Sequence, residues 1–280
     1  MKNAQYTSPV RENGFVEAGD YAAIGEGRSV ALIAPDGSID WWCAPNLDSA
    51  PLFDRLLDPD IGGFFQLEPD APYSVTRRYR DDSNVLETTF TTDSGKVLIT
   101  ESINSTLAGR LPWSELARRV EGLEGEVKMK LSLRFGTRAE TCSPWLNETA
   151  HGNVYHIADL MAMLRTSEDV AIVDVDDEQI HGTFTTSPES RTLVALLVTE
   201  KEPLAVPDLM AIDERIETSH TAWVDWSKSL SYRGAYENHV GRSALALKFL
   251  WYAPTGALAA AATTSIPEGV GKEKNYDYRY

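Results

Sequence analysis

Over residues 127–135 apolar and polar positions alternate without a break. Val127, Met129, Leu131, Leu133 and Phe135 are separated by Lys128, Lys130, Ser132 and Arg134. A period of two predicts a strand with one dry and one wet face, because successive side chains of an extended chain point to opposite sides. Residues 64–67, 73–79 and 85–92 are rich in the aromatic and β-branched types that suit a half-buried pleated surface. Asp93-Ser94-Gly95 reads as a tight connection into a strand over 97–103. Residues 29–34 and 39–43 flank the turn signal Pro35-Asp36-Gly37-Ser38, so 28–43 reads as a hairpin. Residues 53–57 read as a single helical turn. Further strands are expected at 154–157, 161–165, 170–175, 180–186 and 192–199. Many strands joined by short turns, with no helices between them, imply a mainly β chain folded as a large antiparallel β-sandwich.

At Pro203 the period changes. Leu209, Ile212, Ile216, Trp223, Trp226 and Leu230 fall at steps of three and four, with one gap at His220. This spacing predicts an amphipathic linker helix laid across the sandwich, with Pro207-Asp208 at its start and both tryptophans turned inward. Residues 231–236 form a joint. Beyond it Val240, Ala244, Leu245, Leu247, Phe249, Leu250 and Trp251 leave few polar positions before Tyr252. A helix apolar on most of its surface is expected to be buried on most of it, and to expose an apolar face where its partners are missing. Pro254 stops this helix and Thr255-Gly256 turns the chain. One such helix, followed by the cluster Asn275-Tyr276-Asp277-Tyr278-Arg279-Tyr280, makes no domain. The C-terminal end therefore reads as the opening of a second domain whose remainder is not in these residues.

Composition narrows the function. A formal charge of -16 over 280 residues argues against nucleic-acid binding, since a phosphate backbone would be repelled. No apolar run approaches the length of a membrane span. The start, MKNAQYTSPVRENGF, lacks the apolar stretch of a secretory signal, which reads as a cytoplasmic protein. Cys43 and Cys142 lie far apart with no metal-binding spacing, and read as two buried thiols.

Two stretches carry a family resemblance. RSALALKFLWYAPTGALAAAATTSIPE, with NYDYRY after it, resembles the start of the catalytic domain of bacterial and archaeal glucoamylase- and trehalase-like enzymes, glycoside hydrolase family 15. IGEGRSVALIAPDGSIDWWCAPNLDSAPLFDRLLD resembles that family's N-terminal β-sandwich signature. The resemblance implies a sandwich over 1–202, a linker helix and joint over 203–236, and the start of an incomplete (α/α)6 barrel over 237–280. It implies an inverting hydrolase that releases glucose from the non-reducing end of an α-glucoside such as trehalose, isomaltose or a maltooligosaccharide, with no cofactor. The sandwich would pack on the barrel, and an oligomer is left open. In the family both catalytic glutamates belong to the later barrel, and no residue of 1–280 matches either. The catalytic set in this chain is therefore expected to be empty.

By the same resemblance Tyr278 would line the subsite for the terminal glucose, where an aromatic ring covers the C–H face of a pyranose. Packing at a barrel mouth is the plainer reading of the same tyrosine. Trp42 and Asp48, in a segment Trp41-Trp42-Cys43 with Asn46, could contact a sugar. In a strand of period two, however, one tryptophan of the pair would enter the core and the other a domain interface. His151 and His156, with Asp159 nearby, are awkwardly spaced for a metal and read as surface or hydrogen-bonded histidines. Gly25-Glu26-Gly27 is followed by no βαβ unit, and no serine sits in a G-x-S-x-G elbow. Two other classes stay open: a free-standing carbohydrate-binding sandwich using Trp41 and Trp113 as an exposed platform, and a structural module that docks on a separate subunit.

Overall fold

The structure, a computed structural model, describes residues 5–106, 109–136 and 144–263. Strand β1 (Gln5–Thr7) is followed by β2 (Ala22–Gly25), β3 (Val30–Ile33), β4 (Ser38–Cys43), β5 (Pro51–Phe53) and β6 (Phe64–Pro69). Then come β7 (Ser74–Tyr79), β8 (Leu86–Thr91), β9 (Gly95–Ile103), the short pair β10 (Ser105–Thr106) and β11 (Gly109–Arg110), and the long strands β12 (Ser114–Gly125) and β13 (Val127–Arg134). Six more complete the sheets: β14 (Trp145–Thr149), β15 (Gly152–Ile157), β16 (Leu160–Thr166), β17 (Ala171–Val175), β18 (Gln179–Thr186) and β19 (Arg191–Glu200). Helices α1 (Leu209–Lys228) and α2 (Glu237–Leu250) and a small hairpin, β20 (Trp251–Tyr252) with β21 (Ala257–Leu258), close the described chain.

The strands make two antiparallel sheets that share one core. The first runs β1-β7-β8-β9-β12-β19-β16-β15-β14, and the second β17-β18-β13-β6-β4-β3-β2, with β5 paired to β4. Ile33, Trp42, Phe53, Phe65 and Leu67 meet Val75, Phe90, Ile99, Leu116, Val120 and Leu196 between them. The clearest expectation from sequence holds: Val127, Met129, Leu131 and Leu133 are buried, and the residues between them are not. In the expected hairpin β3 pairs with β4, and Gly37 takes φ +75° at the turn. A Cβ added there would stand 2.2 Å from the Leu67 carbonyl oxygen, so both the dihedral and the close approach call for glycine.

Three expectations change. The single turn expected over 53–57 begins one residue later, with the Leu57 N–H donating to the Asp54 carbonyl at 2.9 Å, because Phe53 belongs to a strand that pairs with β4 and enters the core. β12, which alternation does not reveal, is the spine of the first sheet, paired to β9 on one side and β19 on the other. Its charged residues Glu115, Arg118 and Arg119 are buried because each meets an opposite charge from elsewhere. Arg118 pairs with Glu101 at 2.7 Å, and donates to the carbonyls of Phe65 at 2.9 Å and Gly37 at 2.5 Å. One guanidinium thus ties the two sheets together across the core.

The third change concerns the helices. Ile212 and Ile216 of α1 pack on Val85, Ala117, Leu193, Ala195 and Leu197, on the outer face of the first sheet. Burying each isoleucine fully contributes about 1.5–3 kcal/mol. Polar contacts fix the register: Arg119 reaches Asp213 at 2.6 Å and Glu217 at 2.7 Å, and Arg215 reaches Glu115 at 2.6 Å. Asp208 is the N-cap, its side chain accepting from the Met210 backbone N–H. Trp223 turns inward as expected, but Trp226 faces α2 and lines a groove there. α2 is not buried on most of its surface: Leu245 and Phe249 are its buried residues, while Val240 and Leu247 are exposed.

Candidate functional site

Of the residues that the sequence marks for function, Trp41 and Asp48 lie beside the place where α2 crosses the outer face of the second sheet, and Trp42 does not. Strand period two sends Trp42 into the inter-sheet core and its neighbour Trp41 to the opposite face. Trp42 is wholly buried, tilted against Phe53 with 6.1 Å between ring centroids, and its indole N–H donates to Ser29 Oγ at 3.2 Å. That leaves no ring face for a sugar, so Trp42 is a core residue. Trp41 is 1% exposed and donates its indole N–H to the Ala262 carbonyl at 3.2 Å, so the last described stretch of chain covers it. Leu47 is buried with Val30, Phe249 and Ala259, and Asp48 beside it is exposed at the rim. Asp48 is therefore brought up against the end of α2 through its neighbour. Tyr278 lies outside the described residues, as does Cys142; Cys43 is buried in β4.

Among the described residues α2 is held on one side. Arg242 donates to the Ser83 carbonyl at 2.6 Å and to Asn84 Oδ1, and lies 4.3 Å over the Tyr79 ring. Burial lowers its pKa. Asn84 returns a hydrogen bond from its amide to the Leu245 carbonyl at 2.9 Å, and the Ala253 N–H donates to the Gly27 carbonyl at 2.8 Å. Asn84 and Arg242 carry no sequence signal of their own, since each finds its partner more than a hundred residues away. The other side of α2 is apolar and open. Trp226, Leu230, Ala244, Leu247, Trp251 and Leu258 line a groove of about 390 Å³. The Lys248 ammonium sits 3.6 Å from the Trp251 ring centroid, and burial lowers its pKa. Leu247, Trp251 and Leu258 are each roughly half exposed at 53%, 44% and 55%. The described residues leave this apolar face uncovered.

The buried carboxylates are occupied in holding the fold. Glu101 pairs with Arg118, Glu115 with Arg215, and Asp36 and Asp40 with Arg11 at 2.6 and 2.9 Å. Asp54 accepts from the Gly63 N–H at 2.7 Å. Burial raises the pKa of both Glu101 and Asp40, with the neighbouring arginine pulling each back. Among the described residues, no group of three or more His, Cys, Asp or Glu side chains gathers as a metal site. His156 instead lies flat on the Trp145 ring, 3.8 Å between centroids. The exposed platform of Trp41 and Trp113 does not form. Trp41 is covered, and Trp113 packs beside α1 with its N–H on Glu115 at 3.1 Å. No helix among the described residues is long and apolar enough to cross a membrane.

Comparison with known proteins bears on the same elements. Residues 17–140 match the family described as trehalase-like, N-terminal. The chain is 30% identical over 277 residues to a trehalase of Thermoplasma volcanium, covering 98% of this chain and 44% of that protein. It is 31% identical over 259 residues to a trehalase of Thermoplasma acidophilum, covering 89% of this chain and 43% of that protein. A Mycobacterium tuberculosis trehalase is 31% identical over 302 residues, covering 98% and 43%. The chain spans less than half the length of these curated relatives.

Proposed function

We propose that these residues are the N-terminal portion of a cytoplasmic, inverting α-glucoside hydrolase of glycoside hydrolase family 15, of the trehalase type. In this reading 1–202 is the β-sandwich, 203–236 the linker helix and joint, and 237–280 the start of an (α/α)6 catalytic domain. The observation that carries it is the similarity to trehalases, which runs over nearly the whole chain but under half of each relative. The one-sided seating of α2 supports it. A helix clamped to the sandwich by Arg242 and Asn84, with Leu247 and Trp251 left bare, is what the first helix of a larger helical domain would look like.

Inverting hydrolysis needs one carboxylic acid to protonate the leaving oxygen and a second carboxylate to activate water on the far face of the sugar. The buried carboxylates described above are spent on ion pairs and backbone hydrogen bonds, so both groups are assigned to sequence beyond this chain. The sandwich then acts as a cover that seats the barrel and shapes its rim. Asp48 is the residue of the rim loop best exposed to reach a sugar, and Tyr278 is assigned to the terminal glucose subsite. Trehalose is the favoured substrate, with isomaltose and maltooligosaccharides as the alternatives.

Two measurements test this. The 280-residue chain should release no glucose from trehalose, isomaltose or maltooligosaccharides; release would overturn the placement of both carboxylates. Antibody raised against the chain should deplete trehalose-hydrolysing activity from an extract of the source cells. Activity left undiminished by full depletion of the antigen would overturn the trehalase reading itself.

A further inference from the structure

A second concavity lies away from α2, at the mouth formed by β6, β13 and the loops at residues 8–11 and 69–73. It is an open hollow of about 600 Å³. That is within the usual size of small-molecule sites, which run from about 300 to 1,000 Å³. Its inner wall is tightly made. Arg11 is fixed on Asp36 and Asp40 by hydrogen bonds of 2.6 to 3.2 Å, and Tyr21 donates to Asp40 at 2.7 Å.

The rim is different, because its polar groups touch one another only loosely. Arg55 donates to Gln66 Oε1 at 3.3 Å, and its Nε is buried without a partner. Gln66 Nε2 is 3.5 Å from the Asp36 carbonyl. Lys130 Nζ stands 3.6 Å from Glu68 and 3.5 Å from Asp70, beyond good hydrogen-bond length. Asp70 is paired with Lys128 at 2.9 Å and Glu68 accepts from the Tyr73 hydroxyl at 3.2 Å, but Arg55, Gln66 and Lys130 keep unspent donor capacity beside the cleft.

The charges of the lining cancel. Arg11, Arg55 and Lys130 stand against Asp36, Glu68 and Asp70. An anion would meet three carboxylates and a cation three bases, whereas a neutral ligand rich in hydroxyls can accept from one set and donate to the other. Pro9 and Pro72 add exposed apolar surface to the same wall, while Tyr73 is buried edge-on against Phe90 behind it. Burial raises the pKa of Glu68 against the pull of Lys130, as befits a carboxyl that ordinary solvent reaches poorly.

We propose that this cleft is a binding site for a neutral polyhydroxylated ligand, a hexose or short oligosaccharide, held by Arg55, Gln66, Glu68 and Lys130. The assignment rests on the cleft's own chemistry and stands whether or not the intact protein hydrolyses trehalose. The test is a titration of the 15N-labelled 280-residue chain with glucose, maltose and trehalose, and separately with glucose 6-phosphate and glucosamine. The neutral sugars should shift the amides of Gln66, Glu68, Ala71 and Lys130 and saturate with a Kd on the order of millimolar. Lys130→Ala and Gln66→Ala should each raise that Kd about fivefold, the loss of one modest hydrogen bond, with the unfolding midpoint unchanged. Lys130 is 44% exposed, so its replacement leaves the fold intact. Three results would overturn the proposal: no saturable shift at these amides with any neutral sugar, tighter binding of a charged analogue, or a Kd that neither substitution moves.

Discussion

Replacing Arg118 with methionine isolates a buried tie between the two sheets. Arg118 and Glu101 are both fully buried, 2.7 Å apart, and the guanidinium also serves two carbonyls of the opposite sheet. Without it Glu101 keeps one hydrogen bond, from Thr88 at 3.1 Å. Breaking a buried pair from one side costs about 3–5 kcal/mol, because a lone charge is left in a poorly polarisable interior. The variant can soften this by protonating Glu101. Burial already pushes that carboxyl up, and removing Arg118 removes the charge that pulled it back.

The sign of the pH dependence follows. In the unfolded chain a glutamate ionises near about pH 4.3. Above that value the unfolded Glu101 has lost a proton that the folded variant still holds, so stability falls as pH rises. The slope is about 1.4 kcal/mol per pH unit, continuing until the folded carboxyl itself ionises. Urea unfolding followed by tryptophan fluorescence, repeated from about pH 5 to about pH 7, reads both the loss and the slope. Adding Glu101→Gln to Arg118→Met should flatten the slope and recover part of the loss. An Arg118→Met variant within about 1 kcal/mol of the parent, with the parent's pH dependence, would refute the account of a dry, paired site.

Other outcomes are expected on the same footing. Ile216→Ala should cost about 2–5 kcal/mol in urea unfolding, since the residue is wholly buried between α1 and the first sheet. Burial works to raise the Glu217 pKa, but the hydrogen bond from Arg119 and the charge of Arg80 outweigh it and the value is lowered. Its contribution is thus present above the unfolded glutamate value and lost as pH falls through the folded one. At 46% side-chain exposure solvent screens it to well under about 1 kcal/mol, and Glu217→Gln should lose only that much of the acid limb. Leu247→Ser with Trp251→Ser should cut the binding of a hydrophobic dye and any self-association, and leave the unfolding midpoint where it was. A fall in the midpoint would mean that this face is packed rather than open.

The sequence exposes what repeats locally and hides what is completed from far away. β13 is readable because four buried residues alternate with four wetter ones. The β3–β4 hairpin is readable because Gly37 sits where only glycine fits. β12 is not, since the run SELARRVEGLEG carries helix-forming residues and five charges that look solvated. Its burial depends on Glu101, Asp213, Arg215 and Glu217, which no local window contains. The same holds at the helices. Spacing marks α1, but whether Trp226 meets the sheet or α2 is decided by how α2 is clamped, through Asn84 and Ser83 in an unremarked loop. For the site, the Trp41-Trp42 pair divides between core and covered face as a strand requires, whereas the cleft around Gln66 and Lys130 draws on five separate stretches of chain.

β19 is the last strand of its sheet to be made and yet lies between β12 and β16, near the middle of that sheet. During synthesis those two neighbours must therefore wait with their inner edges unpaired until Glu200 has left the ribosome and had time to insert. Such a nascent chain carries two raw ladders, each able to recruit another copy. Protein yield in the cell should accordingly depend on how quickly translation runs through Arg191–Glu200, and on whether a chaperone attends the half-built sheet meanwhile.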